Sequence, residues 1–209
     1  QSVSVNNTSV GKTSATATTI ALAFDALGKA KIAVNYPDAG QVQLDARYTG
    51  TGNEQGLIMS GNDPFVSFPV GLCITPQDAA AQCTAGNSTC NVYKKAGESF
   101  NLLIQGKAWQ MDGDSHYCDN LNTPNYIQSD IKLGSSLVAP SGGVAGVISN
   151  PSYNHVSNST NTNIVSQSIS EVGVFTFSAK SPASYLGSSF YNIPLAQSAN
   201  IGRFVPDRF

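Results

Sequence analysis

The sequence has 209 residues, enough for one large β domain or two small ones with a buried core. Only 11% of the residues are charged while 41% are apolar, so the chain can bury enough surface to fold and is not expected to be disordered. The net charge of −2, with no basic run, excludes a nucleic-acid partner. The lack of any apolar stretch near ~20 residues excludes membrane insertion by a helix.

Alternating apolar and polar residues dominate the first fifty positions. The alternation predicts strand structure over residues 1–22 and strands at residues 19–24, 31–36 and 42–48, because side chains two apart share one face of a strand. Turns are predicted at residues 27–29 (Leu-Gly-Lys) and 37–40 (Pro-Asp-Ala-Gly), where glycine and proline interrupt the pattern. Short strands separated by such turns indicate an antiparallel meander.

A domain boundary is predicted near residue 70. Residues 63–74 are extended and apolar, and Pro64 and Pro69 suit an edge strand or a linker. We therefore expect an N-terminal β-sandwich-like domain over residues 1–70 and a C-terminal β-sandwich domain with disulfide-rich loops over residues 71–209.

The second half continues the β pattern. A short helical turn is expected within residues 76–82, and polar or glycine-rich loops at residues 111–125, 141–146 and 150–163. The predicted strands are residues 99–108, as a central strand, and residues 127–133, 168–177, 185–193 and 201–209. Short strands at this spacing indicate an all-β, antiparallel, immunoglobulin-like sandwich, with two packed sandwich domains.

The four cysteines form an even set in polar, turn-rich surroundings, which favours disulfides in an oxidising compartment. Four cysteines allow three pairings. We favour Cys83 with Cys90, closing a small loop, and Cys73 with Cys118 as a longer link. The alternative is a zinc site, but His116 is the nearby histidine and short CxxC pairs are missing.

Catalysis is not expected. The two histidines, His116 and His155, lie in polar segments and are interpreted as solvated, and no GxSxG motif accompanies them. Ser115 next to His116 is adjacent in sequence, which does not place the groups of a triad. The clustered carboxylates fall in one loop and not on facing strands, whereas a glycosidase needs a pair set across a cleft. We therefore expect no enzymatic activity.

The loop after residue 108 is the candidate metal site. Asp112, Asp114 and Asp119, joined by Asn120 and Asn122, supply the oxygen ligands that calcium prefers. The spacing is not that of an EF-hand, and Asp and Asn are also common turn formers. A solvated loop held by a cysteine is the favoured interpretation; calcium is the alternative, and no other cofactor is expected.

The same loop is the candidate ligand site. Trp109 leads into it and Tyr117 and Tyr126 follow, so aromatic rings lie beside Asp112, Asp114 and Asp119 as in shallow glycan sites. Against this, Trp109 continues the strand from residue 99, and a single tryptophan in a sandwich is usually a core residue. We favour the core position for Trp109.

Six segments in order carry a resemblance to a known family: YPDAGQVQLDARYTG (36–50), GNDPFVSFPVGLCI (61–74), KAGESFNLLIQGKA (95–108), CDNLNTPNY (118–126), SEVGVFTFSA (170–179) and IGRFVPDRF (201–209). Together they resemble MshQ-like proteins, large secreted proteins associated with the mannose-sensitive haemagglutinin pilus of Gram-negative bacteria. Family members are longer and continue past the GRF-x-PD-x-F motif, and the chain opens without a signal peptide. The resemblance therefore implies an internal fragment of a larger surface protein.

The closing motif is interpreted as structural. In Gly202, Arg203 and Phe204 we expect the aromatic ring to pack and the guanidinium to form a buried or interface ion pair, with Asp207 close by.

These observations predict a non-enzymatic, extracellular adhesin or pilus-associated structural segment on the surface of a Gram-negative bacterium. Its expected partners are other surface or pilus proteins, including copies of itself, and a host or environmental glycan. A filament formed by strand complementation through residues 1–22 is a variant of this prediction. The alternative is a carbohydrate- or calcium-dependent binding module centred on residues 109–126.

Overall fold

A computed structural model describes residues 1–190 and 192–208, and its regular structure is almost entirely strand. In chain order the strands are β1 (Ser4–Val5), β2 (Thr8–Ser9), β3 (Val34–Asn35), β4 (Gly40–Thr49), β5 (Ile58–Ser67), β6 (Gly71–Pro76), β7 (Lys94–Lys95), β8 (Phe100–Lys107), β9 (Gln128–Ala139), β10 (Ser152–His155), β11 (Asn163–Gln167), β12 (Gly173–Lys180), β13 (Ala196–Gln197) and β14 (Ile201–Val205). Short 3₁₀ turns occur at Ser14–Thr16, Gly52–Glu54, Ala79–Ala81 and Tyr117–Asp119.

Residues from 68 onward form the sandwich region, which is built from two sheets. One has the strand order β10-β9-β12-β14-β7, with β13 also paired to β12; the other has the order β11-β8-β6. The pairs are antiparallel except for β14 with β7, which run parallel. The prediction of an all-β, antiparallel, disulfide-linked fold is confirmed.

The core lies between these two sheets. In β8 the residues Phe100, Leu102 and Ile104 are buried while those between them are partly exposed, as the period of two requires. The Phe100 ring lies 5.3 Å from Phe177 of β12 and 5.3 Å from Phe204 of β14. Tilted and edge-on aromatic contacts of this kind join the two sheets.

Residues 1–67 form the N-terminal region, which is organised differently. It contains a small sheet of order β2-β1-β3, with two residues in each strand, and the long β4–β5 hairpin. Val5 and Ala39 are buried there, whereas Phe24 is 65% exposed and Leu27 is 79% exposed. An alternating sequence has therefore not produced a comparable core in this region.

The strand predictions for this region are partly wrong. Within residues 1–22 only Ser4–Val5 and Thr8–Ser9 are strands, and residues 19–24 form none. Of residues 31–36 only Val34–Asn35 form a strand. The predicted turn is present: Gly28 N–H donates to Asp25 O at 3.0 Å. The predicted strand at 42–48 is confirmed as part of β4. Alternation alone does not make a strand when no neighbour covers its apolar face.

In the sandwich region the 3₁₀ turn near residue 80, the central strand β8 and the closing strand β14 are confirmed. The predicted loop at 150–163 is wrong where β10 pairs with β9, and β11 was not predicted as a strand. In the predicted strand at 185–193, residues 185–190 form turns instead, with Tyr185 bridged to Ser188. Tyr191, in the predicted strand 185–193, and Phe209, in the predicted strand 201–209, lie outside the described residues.

Both favoured disulfides are present. Cys73 in β6 is bonded to Cys118, and Cys83 to Cys90, with Cα–Cα distances of 5.3 and 5.4 Å. Among the described residues, no helix has the length and apolar character needed to span a bilayer.

Candidate functional site

Trp109 stands at the centre of the candidate site. Strand β8 ends at Lys107, so the chain leaves the sheet before Trp109, and this side chain is 52% exposed. Its indole Nε1–H donates to Asp112 Oδ1 at 3.2 Å. The expectation that Trp109 belongs to the core is therefore wrong, because the strand pattern ends two residues before it.

An open depression of about 180 Å³ lies beside Trp109. Its walls come from three parts of the chain that are far apart in sequence: residues 34–36 and Asp38, the end of the hairpin at Ser67 and Phe68, and Ala108 with Trp109. An exposed indole beside a tyrosine and an amide is an arrangement that can stack on a sugar and hydrogen-bond its hydroxyls. The sequence placed Trp109 in the candidate site but missed Asn35 and Tyr36, which only the fold brings to it.

Asp38, which lines this depression, is held by several hydrogen bonds. Its carboxylate is buried, and Oδ1 accepts hydrogen bonds from Ala39 N–H at 2.8 Å and Asn125 N–H at 3.0 Å. Oδ2 accepts from the Asn125 side-chain amide at 3.0 Å. Because these donors occupy both oxygens, Asp38 serves to join the N-terminal region to the loop that ends at Tyr126.

Lys107, the last residue of β8, anchors the loop between β8 and β9 by hydrogen bonds. This lysine is buried, and its Nζ donates to Asn122 Oδ1 at 2.7 Å and to Asn120 O at 3.3 Å. Desolvation lowers the pKa of Lys107, while the charge of Asp119 acts in the opposite direction. Together with the disulfide at Cys118, these contacts link the loop to β6 and β8.

The three carboxylates proposed for calcium do not form a metal-holding group. Asp114 accepts from His116 N–H and from the Asn120 side-chain amide, both at 2.9 Å, while Asp112 accepts from Trp109. Within residues 1–190 and 192–208, no cluster of three or more His, Cys, Asp or Glu side chains is arranged to hold a metal ion. The calcium site stays a prediction that this geometry does not support.

The two candidate tyrosines lie outside the depression. Tyr117 is half-buried, its hydroxyl donates to Leu72 O at 3.3 Å, and its ring lies against Gly71, where a Cβ would be 2.8 Å from the ring. Tyr126 is fully buried, with its hydroxyl 3.3 Å from Ser181 Oγ, and burial raises its pKa to about 12. Neither ring is placed to stack on a ligand at Trp109.

His155, interpreted from sequence as solvated, is instead fully buried. Its Nδ1 is 2.9 Å from the Tyr153 hydroxyl and its Nε2 is 3.2 Å from Asn161 Oδ1, while its ring lies 4.9 Å from that of Tyr126. Desolvation lowers the pKa of His155. The neutral imidazole donates from Nε2 to Asn161 and accepts at Nδ1 from Tyr153, so the histidine has a structural role.

His116 lies on the surface, as expected. Its Nδ1 is 3.0 Å from Ser115 Oγ, and both residues are exposed. Asp114 accepts a hydrogen bond from the backbone N–H of His116 and not from its ring. A catalytic triad requires a carboxylate that orients the histidine ring, and the described hydrogen bonds of Ser115 and His116 include none to the ring.

The closing motif packs as expected at Phe204, which is buried with its ring 5.8 Å from Tyr93. Gly202 has φ of +145°, and a Cβ there would lie 2.9 Å from Gly173 O, so glycine allows the close approach of β14 to β12. Arg203 Nε is buried with no hydrogen-bond partner among the described residues. Asp207 pairs with Lys95 at 2.7 Å and with Arg208 at 3.0 Å, so the ionic contact of the motif is at the surface.

The fold and its two disulfides define an all-β sandwich protein. Three domain models of one family match it in order: the DUF6701 first Ig-like domain over residues 1–62, the DUF6701 second domain over residues 68–165 and the DUF6701 third domain over residues 171–209. Because these matches together cover nearly the whole chain, the protein belongs to the DUF6701 family. No curated protein and no solved structure matches it.

Proposed function

We propose that this chain is a non-enzymatic, extracellular segment of a bacterial surface protein that presents binding surfaces and connects other parts of an adhesive, pilus-associated structure. The observation that carries the proposal is the pair of disulfides in the sandwich region. Disulfides persist in oxidising compartments and are rare in the cytosol, so they support export.

The positions of the two disulfides also support a structural, connecting role. The Cys73–Cys118 bond links β6 to a loop 45 residues away in sequence, and the Cys83–Cys90 bond closes a short surface loop. Both restrict the conformations of the unfolded chain and so stabilise the folded one. The pilus association rests on the resemblance of the six ordered segments to MshQ-like proteins.

Recovery of the protein from intact Gram-negative cells tests this proposal. Surface shaving with protease followed by mass spectrometry is expected to yield peptides of this chain with both cysteine pairs oxidised. A strain lacking the coding region for this chain is expected to adhere less than its parent, with adhesion restored on complementation. Four free thiols in a cytosolic fraction, or unchanged adhesion, would contradict the proposal.

A second candidate function is glycan binding at the depression beside Trp109. The exposed indole, which lines the same depression as Tyr36 and Asn35, is the specific observation in its favour. The test is a glycan array with the purified chain, in the presence and absence of calcium. A bound glycan is expected to be lost in Trp109→Ala and kept in Met111→Ala, an exposed apolar residue of the same loop outside the depression. Equal binding by both variants would place the glycan elsewhere.

A further inference from the structure

The β4–β5 hairpin has one open edge. Beyond the last residue pair, Thr49 with Ile58, Gly50 N–H donates to Leu57 O at 2.8 Å. Hydrogen-bonded and non-hydrogen-bonded pairs alternate along an antiparallel ladder. The even-numbered residues of β4 are therefore bonded to β5, and the odd-numbered ones direct their backbone N–H and C=O groups away from it.

The two edges of this hairpin differ. By the same alternation, the even-numbered residues of β5 face outward, and one of them is Pro64, which has no N–H to donate. Proline on an edge strand blocks pairing with another strand. The outward residues of β4 include no proline, and all are exposed: Gln41, Gln43, Asp45, Arg47 and Thr49. Among the described residues, β4 pairs only with β5. The β4 edge is thus free to accept a strand.

The charges on β4 select a register for pairing with an identical strand. If two copies of β4 lie antiparallel with the twofold axis at Ala46, Asp45 of each copy lies directly opposite Arg47 of the other. An axis at Asp45 would instead place the two copies of Asp45 opposite each other. An axis at Arg47 would place the two copies of Arg47 opposite each other. Opposite charges across a strand pair stabilise it and like charges destabilise it.

The other face of β4 fits the same register. Leu44 lies opposite Tyr48 of the second copy, twice by symmetry, and Ala46 lies opposite Ala46. Tyr48 is 43% exposed, and Met59, its partner on β5, is 54% exposed, so these apolar groups have little cover in the single chain. A lone two-stranded hairpin is marginally stable in water, whereas four strands are not limited in this way.

We infer that two copies of this chain associate through β4, antiparallel and with the twofold axis at Ala46, to form a four-stranded sheet. The contact is isologous, with the same residues used by both copies. It does not rest on the proposed adhesive role, and it uses a strand different from residues 1–22.

A charge swap tests the register. Sedimentation of the purified chain is expected to show a concentration-dependent dimer. Arg47→Asp places two aspartates opposite each other and is expected to raise the dissociation constant about tenfold or more. The double variant Asp45→Arg with Arg47→Asp restores opposite charges and is expected to return it to within about threefold of the unmodified chain. A chain that is monomeric throughout, or a double variant as weak as the single one, would overturn the inference.

A cysteine placed at the axis gives an independent measurement. Residue 46 faces its own copy in a non-hydrogen-bonded pair, where Cα atoms are about 4.5 Å apart, within disulfide range. Ala46→Cys is expected to give a disulfide-linked dimer on non-reducing gels. Leu44→Cys is the matched control, because two copies of residue 44 would lie about 14 Å apart at the strand rise. Equal crosslinking of both variants would contradict the register.

Discussion

The N-terminal region and the sandwich region are both built from alternating sequences, but they bury them to very different extents. In the sandwich, β8 and β12 place their aromatic residues between two sheets, and Phe100 contacts Phe177 and Phe204. In the N-terminal region the β4–β5 hairpin forms a two-stranded sheet of its own among the described residues, and Tyr48 and Met59 near its turn are exposed. A period of two therefore specifies only which face of a strand is apolar, and a core also needs a layer packed against that face.

Matched phenylalanine truncations measure this difference most directly. Phe204→Ala is expected to lower the free energy of unfolding by about 3–5 kcal/mol, because it removes a buried ring from a close-packed core. Phe24→Ala, at an exposed position of the N-terminal region, is expected to change it by less than about 0.5 kcal/mol. Urea denaturation followed by circular dichroism gives both values. Equal losses would mean that the two regions are equally well packed.

Removal of each disulfide in turn measures how much each bond contributes to the stability of the sandwich region. Replacing Cys73 and Cys118 by serine is expected to cost about 4 kcal/mol, and replacing Cys83 and Cys90 about 2.5 kcal/mol, because the first bond closes the longer loop. Thermal unfolding of the two double variants, with the oxidised chain as the control, measures the order. A larger loss for the short loop would contradict the chain-entropy account.

A methyl group added at Gly106 tests how tightly the loop after Trp109 packs against β8. A Cβ there would lie 2.5 Å from Thr123 Oγ1 and 3.2 Å from the Tyr126 ring. Gly106→Ala is expected to destabilise the fold by about 1–3 kcal/mol, as other overpacked sites do. Gly61→Ala, in the hairpin, has open space at the Cβ position and serves as the control. The denaturation midpoints of the two variants measure this difference, and equal midpoints would mean that the loop can accommodate the added methyl group.

The buried histidine makes the sandwich region sensitive to acid. Because burial lowers the pKa of His155 below its ordinary value of 6.5, the unfolded chain takes up a proton that the folded chain does not. The free energy contributed by the neutral ring is complete above about pH 6.5. It falls by up to about 1.4 kcal/mol per pH unit below that value, until the folded-state pKa is reached.

Thermal melts from pH 8 to pH 5 test this dependence. His116→Gln, at an exposed site, is expected to leave the slope unchanged, whereas His155→Gln is expected to flatten it even if the variant is less stable overall. A slope that persists without His155 would assign the acid sensitivity to other groups.

Much of the candidate site lay beyond sequence reasoning for a definite reason. Trp109 and the loop to Tyr126 were identified from composition, but the walls at Asn35, Tyr36 and Ser67 come from other parts of the chain. Proximity in sequence groups Tyr126 with Trp109 in the candidate ligand site, yet Tyr126 is fully buried. Local pattern says which side chains are near in sequence and not which ones the fold brings together.

By itself the sequence determined the all-β class, the short Cys83–Cys90 loop, the turn near Gly28 and the central strand β8. Those features follow from local spacing, since turn residues, alternation and cysteine separation act over short stretches of chain. Tertiary structure alone decided the burial of His155, the exposure of Trp109 and the open edge of β4. Each of these depends on which strands meet, because burial is created by a neighbouring layer and not by the residue that it covers.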